Sequence, residues 1–232
     1  MVIMIEIISG IEVDVQKKPV KHVRLKVTRD GKVVLNIPNN RPKKVGVDFL
    51  LQKIDWVKDK LKNRPKKSPF SFKTGEMFYL FGNQIVLTVE KGVKNGFLID
   101  GDRFIVYTRD TAEEKVKKAF ESSLKEILLK RAVEYFDKWQ NRIGLYRSSL
   151  TIRKTVSRWG SCNSKTGAIN LSLYLVNLPE FCLDYVVLHE LCHLKYPNHG
   201  KAFKLMLTRF MQNWTSVNKF LKERGNALKL NF

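Results

Sequence analysis

The 232-residue chain has few cysteines and no long apolar run. Its three cysteines, Cys162, Cys182 and Cys192, are too few and odd in number for a disulfide framework, which favours a reducing compartment. No uninterrupted apolar stretch approaches the roughly 20 residues that span a bilayer, which argues against a membrane partner. The start, MVIMIEIISG, carries Glu6 and has no basic residue ahead of it, unlike a signal peptide. We therefore predict a strand here and a cytoplasmic protein.

Acidic residues are scarce as well. The chain has 22 Asp and Glu against 43 Lys and Arg, a formal charge of +21 that is spread over both halves. Such a charge suits nucleic acid, anionic surfaces or acidic substrates as partners, but it also arises from a lysine-rich composition. Net charge therefore leaves nucleic-acid binding open. The hydrophobic fraction of 44% is enough for a globular core and excludes a disordered chain.

The first 110 residues alternate apolar and polar side chains as strands do. VRLKVTRDGKVVLNIP predicts strands from Val23 to Val27 and from Val33 to Ile37, joined by a turn at Asp30-Gly31 because glycine accepts positive φ. One amphipathic helix is predicted from Val45 to about Asn63. Four more strands are predicted after a proline-containing linker: Met77 to Phe81, Gln84 to Val89, Phe97 to Ile99 and Arg103 to Tyr107.

The period of the apolar pattern changes from two to 3.6 at residue 111. Thr111 and Glu114 match a capping box, T-x-x-E, and Gly144 is a suitable stop for the long helix that follows. We place a domain boundary at this change. The prediction is an α+β protein: a β-rich domain with one helix over residues 1–110, then a largely helical domain with a small sheet over residues 111–232.

The second domain contains RWGSCNSKTGAINLSLYL, which predicts two strands around an Asn-Ser-Lys-Thr-Gly loop. The next helix is predicted from Pro179 to Tyr196, because proline suits a first helical position and Pro197 cannot continue the helix. Residues 201–230 predict one or two terminal helices.

Only four histidines occur in the chain, and three of them lie in HELCHLKYPNH, residues 189–199. His189 and His193 are four residues apart on the predicted helix, so both can reach one ion. Pro197 breaks the helix, which lets the chain bring His199 to the same ion. Imidazole suits zinc, and catalytic zinc usually has three protein ligands and one open position. A chance HExxH on an ordinary helix is the alternative, and three histidines at ligand spacing argue against it.

Two acidic residues bear on this site. Glu190 is adjacent to one histidine and three residues from the other, so it can activate a zinc-bound water as general base and pass the proton to the leaving group. Glu223 is the only acidic residue after Glu190 and the only downstream carboxylate that could replace His199. A terminal helix would place Glu223 on its polar face, so His199 is the preferred third ligand.

These residues resemble the YgjP-like metallopeptidase domain, a zincin relative of the SprT and WLM groups. The specific part of the similarity runs from Arg158 to Phe203, and the DG hairpin, the lysine-rich helix and YLFGNQIVL extend it over most of the chain. The resemblance implies a zinc-dependent hydrolase with one Zn²⁺ per chain, His189, His193 and His199 as ligands, and Glu190 as catalytic acid and base. It also implies a zincin-like second domain, in which a helix pair stacks on a small sheet.

Three functions agree with these features. The leading hypothesis is a zinc metallopeptidase that holds a peptide or protein substrate along the strand GAINLSLYL, residues 167–175. The second is a metal-dependent nucleotide phosphohydrolase, because zinc hydroxide also attacks phosphorus. The third is a protease directed to nucleic acid, with Phe70 and Phe72 stacking on bases. Its densest basic patch, which a solvated helix face also explains, is Lys53, Lys58, Lys60, Lys62, Arg64, Lys66 and Lys67.

Two further questions stay open at this point. Cys162 in WGSC is more simply a packed thiol than a nucleophile, because no triad partner is evident near it in the sequence. Peptide hydrolysis also needs a group that stabilises the oxyanion, and the spacing does not choose among Tyr196, Asn198, Arg158 and Tyr174.

Overall fold

The computed structural model describes residues 4–28, 31–62 and 70–225 and confirms a mixed α+β fold. The chain forms two compact units, Met1–Lys67 and Ser68–Phe232. The change from sheet to helix near residue 111 lies inside the second unit. Independent folding of residues 1–110 and 111–232 as two domains stays a prediction.

The first unit is a four-stranded sheet with two short helices. Its elements are β1 (Met4–Ile8), β2 (Ile11–Lys18), β3 (Arg24–Val27), β4 (Val33–Pro38), α1 (Lys43–Gln52) and α2 (Ile54–Lys62). The strand order is β1-β2-β4-β3, with β2 and β4 parallel and the outer pairs antiparallel. The predicted hairpin between β3 and β4 is confirmed, and Gly31 has a φ of +89°. Asp30 lies outside the described residues.

The single helix predicted from Val45 to Asn63 is wrong in one respect, because the helix is divided at Lys53. The backbone there leaves the α-region at φ −108° and ψ 14°, and its N–H bonds to the Leu50 carbonyl. Leu50 before the break and Val57 after it are both fully buried in the core of this unit. Asn63 lies outside the described residues.

The second unit begins with a sheet that repeats the topology of the first. Its strands are β5 (Met77–Leu80), β6 (Asn83–Lys91), β7 (Gly96–Asp100) and β8 (Arg103–Thr108). The order β5-β6-β8-β7 combines a central parallel pair with antiparallel outer pairs, as in the first unit. All four predicted strands are confirmed. The sequence shows no repeat that would have predicted this likeness between the two sheets.

The long helix α3 (Glu113–Ile143) packs its apolar stripe on this second sheet, since Phe120 contacts Phe78 and Phe104 edge to face. The capping box predicted at Thr111 is wrong. The cap is Ala112 and the helix begins at Glu113. Asp110 Oδ1 accepts the Ala112 N–H at 2.9 Å. The predicted stop is confirmed, because Gly144 takes the left-handed conformation with φ +68°.

The suggestion that two phenylalanines stack on bases is also wrong. Phe72 is 5% exposed and lies edge to face with Phe70, and both rings pack against Phe120 in the core. Within the described part of the basic patch, Lys58, Lys60 and Lys62 are exposed on α2, and Lys53 is exposed at the break between α1 and α2. Arg64, Lys66 and Lys67 lie outside the described residues.

A second, smaller sheet and five helical segments complete the described part of the unit. They are β9 (Ser149–Arg153), β10 (Gly160–Asn163), β11 (Ala168–Ser172), a 3₁₀ turn (Leu173–Asn177), α4 (Glu180–Lys195), α5 (Lys201–Phe210), α6 (Trp214–Phe220) and a π-helical turn (Leu221–Gly225). The two strands predicted around the Asn-Ser-Lys-Thr-Gly loop are confirmed as the antiparallel pair β10 and β11. Pro179 was predicted as the first residue of the helix, but it is the N-cap, and α4 begins at Glu180.

The order of this small sheet, β10-β11-β9, corrects the prediction that a peptide substrate lies along the strand GAINLSLYL, which would need a free edge. Within residues 167–175 only Ala168–Ser172 form a strand, β11, which is paired antiparallel to β10 on one side and parallel to β9 on the other. Its backbone is thus used on both sides, and the chain enters the 3₁₀ turn at Leu173. The strand that borders α4 at the edge of the described sheet is β10.

Helix α4 runs through the core of the second unit and is apolar on most of its surface. Its fully buried side chains pack on α3 and on the small sheet: Cys182, Leu183, Val187, Leu188, Leu191 and Cys192. A helix fixed on several sides holds its polar residues in defined positions. Among the described residues, no helix is long and apolar enough to cross a bilayer.

Candidate metal centre

The three clustered histidines meet at the C-terminal end of α4. His189 and His193 lie one turn apart on the helix, the chain leaves the helix after Lys195, and His199 precedes α5. The Nε2 atoms of His189 and His193 are 3.2 Å apart, those of His193 and His199 are 3.1 Å apart, and those of His199 and His189 are 3.0 Å apart. The fourth histidine, His22, is exposed in the first unit.

Hydrogen bonds at the Nδ1 atoms orient two of these rings. His193 Nδ1 is 3.0 Å from the Tyr196 carbonyl oxygen, which can only accept. The Nδ1–H therefore donates, and in the neutral ring the Nε2 atom carries a free lone pair. His189 Nδ1 is 3.2 Å from the hydroxyl of Tyr185, which lies one turn earlier on the same face of α4. Both contacts aim Nε2 at the centre of the cluster.

Phe203, in the first turn of α5, packs against all three imidazoles. Its ring centroid is 4.9 Å from that of His189, 4.6 Å from that of His193 and 4.8 Å from that of His199, and its side chain is 2% exposed. The ring restricts the imidazoles to their converging orientation. Sequence reasoning missed this role; the available signal was an aromatic residue one turn after His199, at the start of the next helix.

Glu190 lies beside the cluster and is 5% exposed. Its Oε2 atom is buried and accepts no hydrogen bond from the described residues. The nearest wall is Gly160 on β10, where an added Cβ would lie 2.5 Å from Glu190 Oε1 and 2.8 Å from its Cδ. Glycine is therefore required for the backbone of β10 to approach this carboxyl group. Sequence reasoning assigned no role to Gly160, because only its position opposite α4 reveals one.

Burial dominates the electrostatics of these groups. It raises the pKa of Glu190 to about 8, against the opposing effect of the Arg158 charge. Burial together with the neighbouring imidazoles lowers the pKa of His189 to about 3, and burial lowers that of His193. The lowered pKa values favour the neutral forms of His189 and His193, and a neutral imidazole is the form that binds a metal ion.

The arrangement fits a tetrahedral divalent ion. Zinc–nitrogen distances of about 2.0–2.1 Å place tetrahedral ligand atoms about 3.3 Å apart, and the three Nε2 atoms lie 3.0–3.2 Å apart. Among the described residues, His189, His193 and His199 are the group of potential metal ligands whose ligand atoms all lie within 4.8 Å of one another. A cavity of about 280 Å³ adjoins them and Glu190, which leaves room for a substrate at a fourth position.

The other residues considered from the sequence differ in how near they lie to the cluster. Glu223 is exposed in the π-helical turn, 4.0 Å from Lys219 Nζ. Cys162 lines the cavity, but burial and the Glu190 charge raise its thiol pKa to about 11, so it is not an activated nucleophile. Tyr174 is buried in the core, whereas Arg158 lines the space next to Glu190.

Comparison with known proteins confirms the family resemblance. A family model described as YgjP-like, metallopeptidase domain, matches residues 21–224. UTP pyrophosphatase from Escherichia coli (strain K12) is 32% identical over 99 residues, which make up 41% of this chain and 59% of that protein. The chain thus spans about three fifths of the length of this curated relative.

Two solved structures show a limited likeness. They are the metallopeptidase zymogens jannalysin of Methanocaldococcus jannaschii, 23% identical, and abylysin of Pyrococcus abyssi, 20% identical. Each match covers 40% of this chain and 95% of the other, with a TM-score of 0.37. At this TM-score the likeness carries no inference about this chain.

Proposed function

Because the chain belongs to the YgjP-like metallopeptidase domain family, we propose that it is a zinc-dependent metallopeptidase. His189, His193 and His199 would hold one Zn²⁺, and Glu190 would act as general base and acid. The observation that carries this proposal is the convergence of three Nε2 atoms at 3.0–3.2 Å beside a buried carboxyl group.

A bound zinc ion would polarise the substrate carbonyl and lower the pKa of a water molecule at the open position. The protein supplies the movement of the proton. Glu190 takes a proton from the attacking water and returns it to the leaving amine. Its unsatisfied Oε2 atom supports this role, because a buried carboxylate oxygen without a donor is available for a proton or a water molecule.

The surrounding residues fix the direction of these groups. Tyr185 and the Tyr196 carbonyl bind the Nδ1 atoms, so the Nε2 atoms stay directed at the ion. The buried ring of Phe203 packs against the three imidazole rings and excludes water from the side that it covers. Such supporting contacts tune a metal site as much as the ligands do.

A peptide substrate would pair with β10 in place of the strand predicted from the sequence. β10 borders the described sheet and also approaches Glu190 at Gly160, so a peptide added along it would pass in front of the histidines. Backbone pairing of this kind recognises extended chains with little dependence on side chains. This position supports a peptide or unfolded protein as substrate.

Nucleotide hydrolysis is the second candidate, because the E. coli relative is a UTP pyrophosphatase. A metal centre of this kind can serve attack on phosphorus as well as carbon. Direction of the protease to nucleic acid rests on the exposed lysines of α1 and α2 and on net charge alone. A cytoplasmic location is supported by three free thiols, two of which are buried.

The two candidates are separated by one panel of substrates. Zinc-loaded protein is incubated with a denatured protein, a peptide library and nucleoside triphosphates including UTP, and products are identified by mass spectrometry. We expect new peptide termini and unchanged nucleotides. Hydrolysis of UTP with intact peptides would replace the peptidase proposal with the phosphohydrolase.

Gly160→Ala tests whether the position of Glu190 matters. The added methyl group would lie 2.5 Å from Oε1 and must displace the carboxyl group. We expect turnover to fall by about 100-fold, the effect of a displacement near 1 Å, while the metal content stays unchanged. Gly96→Ala is the matched control, since its Cβ meets nothing within 4 Å. Full activity of Gly160→Ala would show that this carboxyl group need not be held in place.

A further inference from the structure

One cavity adjoins the candidate metal centre on the Glu190 side, and a second cavity lies next to the first. The larger, of about 340 Å³, is bounded by α4, the π-helical turn and the chain just before β10. The smaller, of about 130 Å³, lies over the three-stranded sheet. Arg158 and Gly160 line both of them, so the cavities meet at the residue that contacts Glu190. We refer to the two cavities together as the cleft.

The smaller cavity is polar and positively charged. Arg153 on β9 and Arg158 in the following loop face it, together with four side chains that can donate hydrogen bonds, namely Thr155, Ser161, Asn170 and Ser172. One of these hydroxyls is already engaged, because Ser172 Oγ donates to the Thr155 carbonyl. Among the described residues that line this cavity, none is acidic.

The two arginines are available to a ligand. Both are exposed, and within the described part of the chain neither forms an ion pair or a side-chain hydrogen bond. The neighbouring Lys154, by contrast, is paired with Glu121. Two guanidinium groups that line one polar cavity suit the oxygens of a carboxylate or a phosphate, because arginine binds such groups in bidentate fashion.

The larger cavity offers a different surface. Trp159, Tyr185, Val186 and Leu221 supply apolar and aromatic walls. Glu190 is the single acidic residue among the described residues that line it, while Arg158 and Lys222 are basic. Its volume suits one planar or apolar side group of a substrate.

We infer that this cleft selects an anionic substrate: an apolar or aromatic group enters the larger cavity, and a carboxylate or phosphate next to it binds Arg153 and Arg158 in the smaller one. The inference rests on the proposed function in placing the cleft beside the reacting bond. It goes further in giving the substrate a negative charge near that bond. In a peptide the charge would be an acidic side chain or the C-terminal carboxylate; in a nucleotide it would be a phosphate.

Binding measurements test this without any turnover. Zinc-loaded protein is titrated calorimetrically with N-acetylphenylalanine, with its neutral amide, and with phenyl phosphate. The acid and the amide have the same apolar group and differ in charge. We expect both anions to bind at least tenfold more tightly than the amide, since hydrogen bonds to charged groups contribute most.

Arg153→Gln with Arg158→Gln should abolish that preference, a loss of about 10- to 100-fold in anion affinity. Lys165→Gln is the control, because Lys165 is an exposed lysine on the β10–β11 turn. Both arginines are exposed, so the fold and the metal content should be retained, and metal analysis of each variant checks this. Arg158→Lys keeps the charge but loses the bidentate geometry, and should give an intermediate affinity.

The outcomes separate the sources of the charge. A larger Arg-dependent preference for N-acetylphenylalanine supports a peptide carboxylate, and a larger one for phenyl phosphate supports a phosphate ester. Equal binding of acid and amide would overturn the inference, as would a preference that survives in the double variant, because the anion would then bind elsewhere. A protein that binds anions through both arginines but hydrolyses no peptide would contradict the proposed activity and leave the anion site standing.

Discussion

Glu190→Gln should lower turnover by about 10²- to 10⁴-fold, the usual contribution of a general acid and base. Glutamine has nearly the same shape as glutamate, but its amide cannot accept the proton of the attacking water. Glu190 is 5% exposed, so this substitution keeps the volume of the site. The carboxyl group is not among the three clustered ligand residues. We therefore expect the variant to contain as much metal as the wild type.

The measurement combines metal analysis and kinetics on the same preparation. Glu223→Gln is the matched control, because Glu223 is the only acidic residue that follows Glu190 in the sequence and is exposed beside Lys219. It should retain both metal and activity. An active Glu190→Gln variant would remove Glu190 from the chemistry, and a metal-free Glu223→Gln variant would show that a carboxylate completes the site.

His193→Ala should reduce zinc affinity by more than about 100-fold. Loss of a residue that only supports a ligand already costs about 10- to 100-fold, and loss of a ligand should cost more. His193 is one of three nearly equidistant members of the cluster, since its Nε2 atom is 3.2 Å from that of His189 and 3.1 Å from that of His199. Zinc binding also stabilises the folded state, so the gain in melting temperature on adding zinc should disappear.

The control for this variant is His22→Ala. His22 is the fourth histidine of the chain and is exposed in the first unit, remote in sequence from the cluster. Zinc titration followed by competition with a chromophoric chelator compares the two variants. The same zinc affinity in His193→Ala and His22→Ala would mean that the imidazole cluster does not bind the ion.

The elements that sequence periodicity predicted well are those with strong local signals. β3 and β4 carry regular alternation around a glycine turn, and the stop of α3 depends on a left-handed glycine at Gly144. The spacing of HELCHLKYPNH likewise predicted that three imidazoles would meet, because residues four apart share a helix face and Pro197 forces the chain to turn.

The errors arose where tertiary contacts decide. The apolar stripe of the predicted helix continues through Lys53, so the local pattern did not indicate that the helix is divided there. Thr111 matched a capping box, yet Asp110 binds the Ala112 N–H and the helix begins later. Strand order is also a property of the whole sheet, so the sequence could not show that β11 is central and β10 is at the edge.

The supporting residues of the site were invisible for a related reason. Phe203 and Gly160 are ordinary residues in the sequence, and their roles come from packing against residues on α4. The cleft formed by Arg153 and Arg158 likewise joins a strand end to the loop that follows it. Chemistry carried by one short motif is predictable from sequence, whereas the surface that selects a substrate depends on how separate elements assemble.

The most direct test is the zinc content of the wild-type protein. The protein is purified without chelator, and metal is quantified per chain before and after reconstitution with zinc. We predict about one tightly bound zinc ion per chain, consistent with a single cluster of three imidazoles among the described residues. Failure of the protein both to retain zinc through purification and to bind it on reconstitution would contradict the proposed metal site and with it the metallopeptidase proposal.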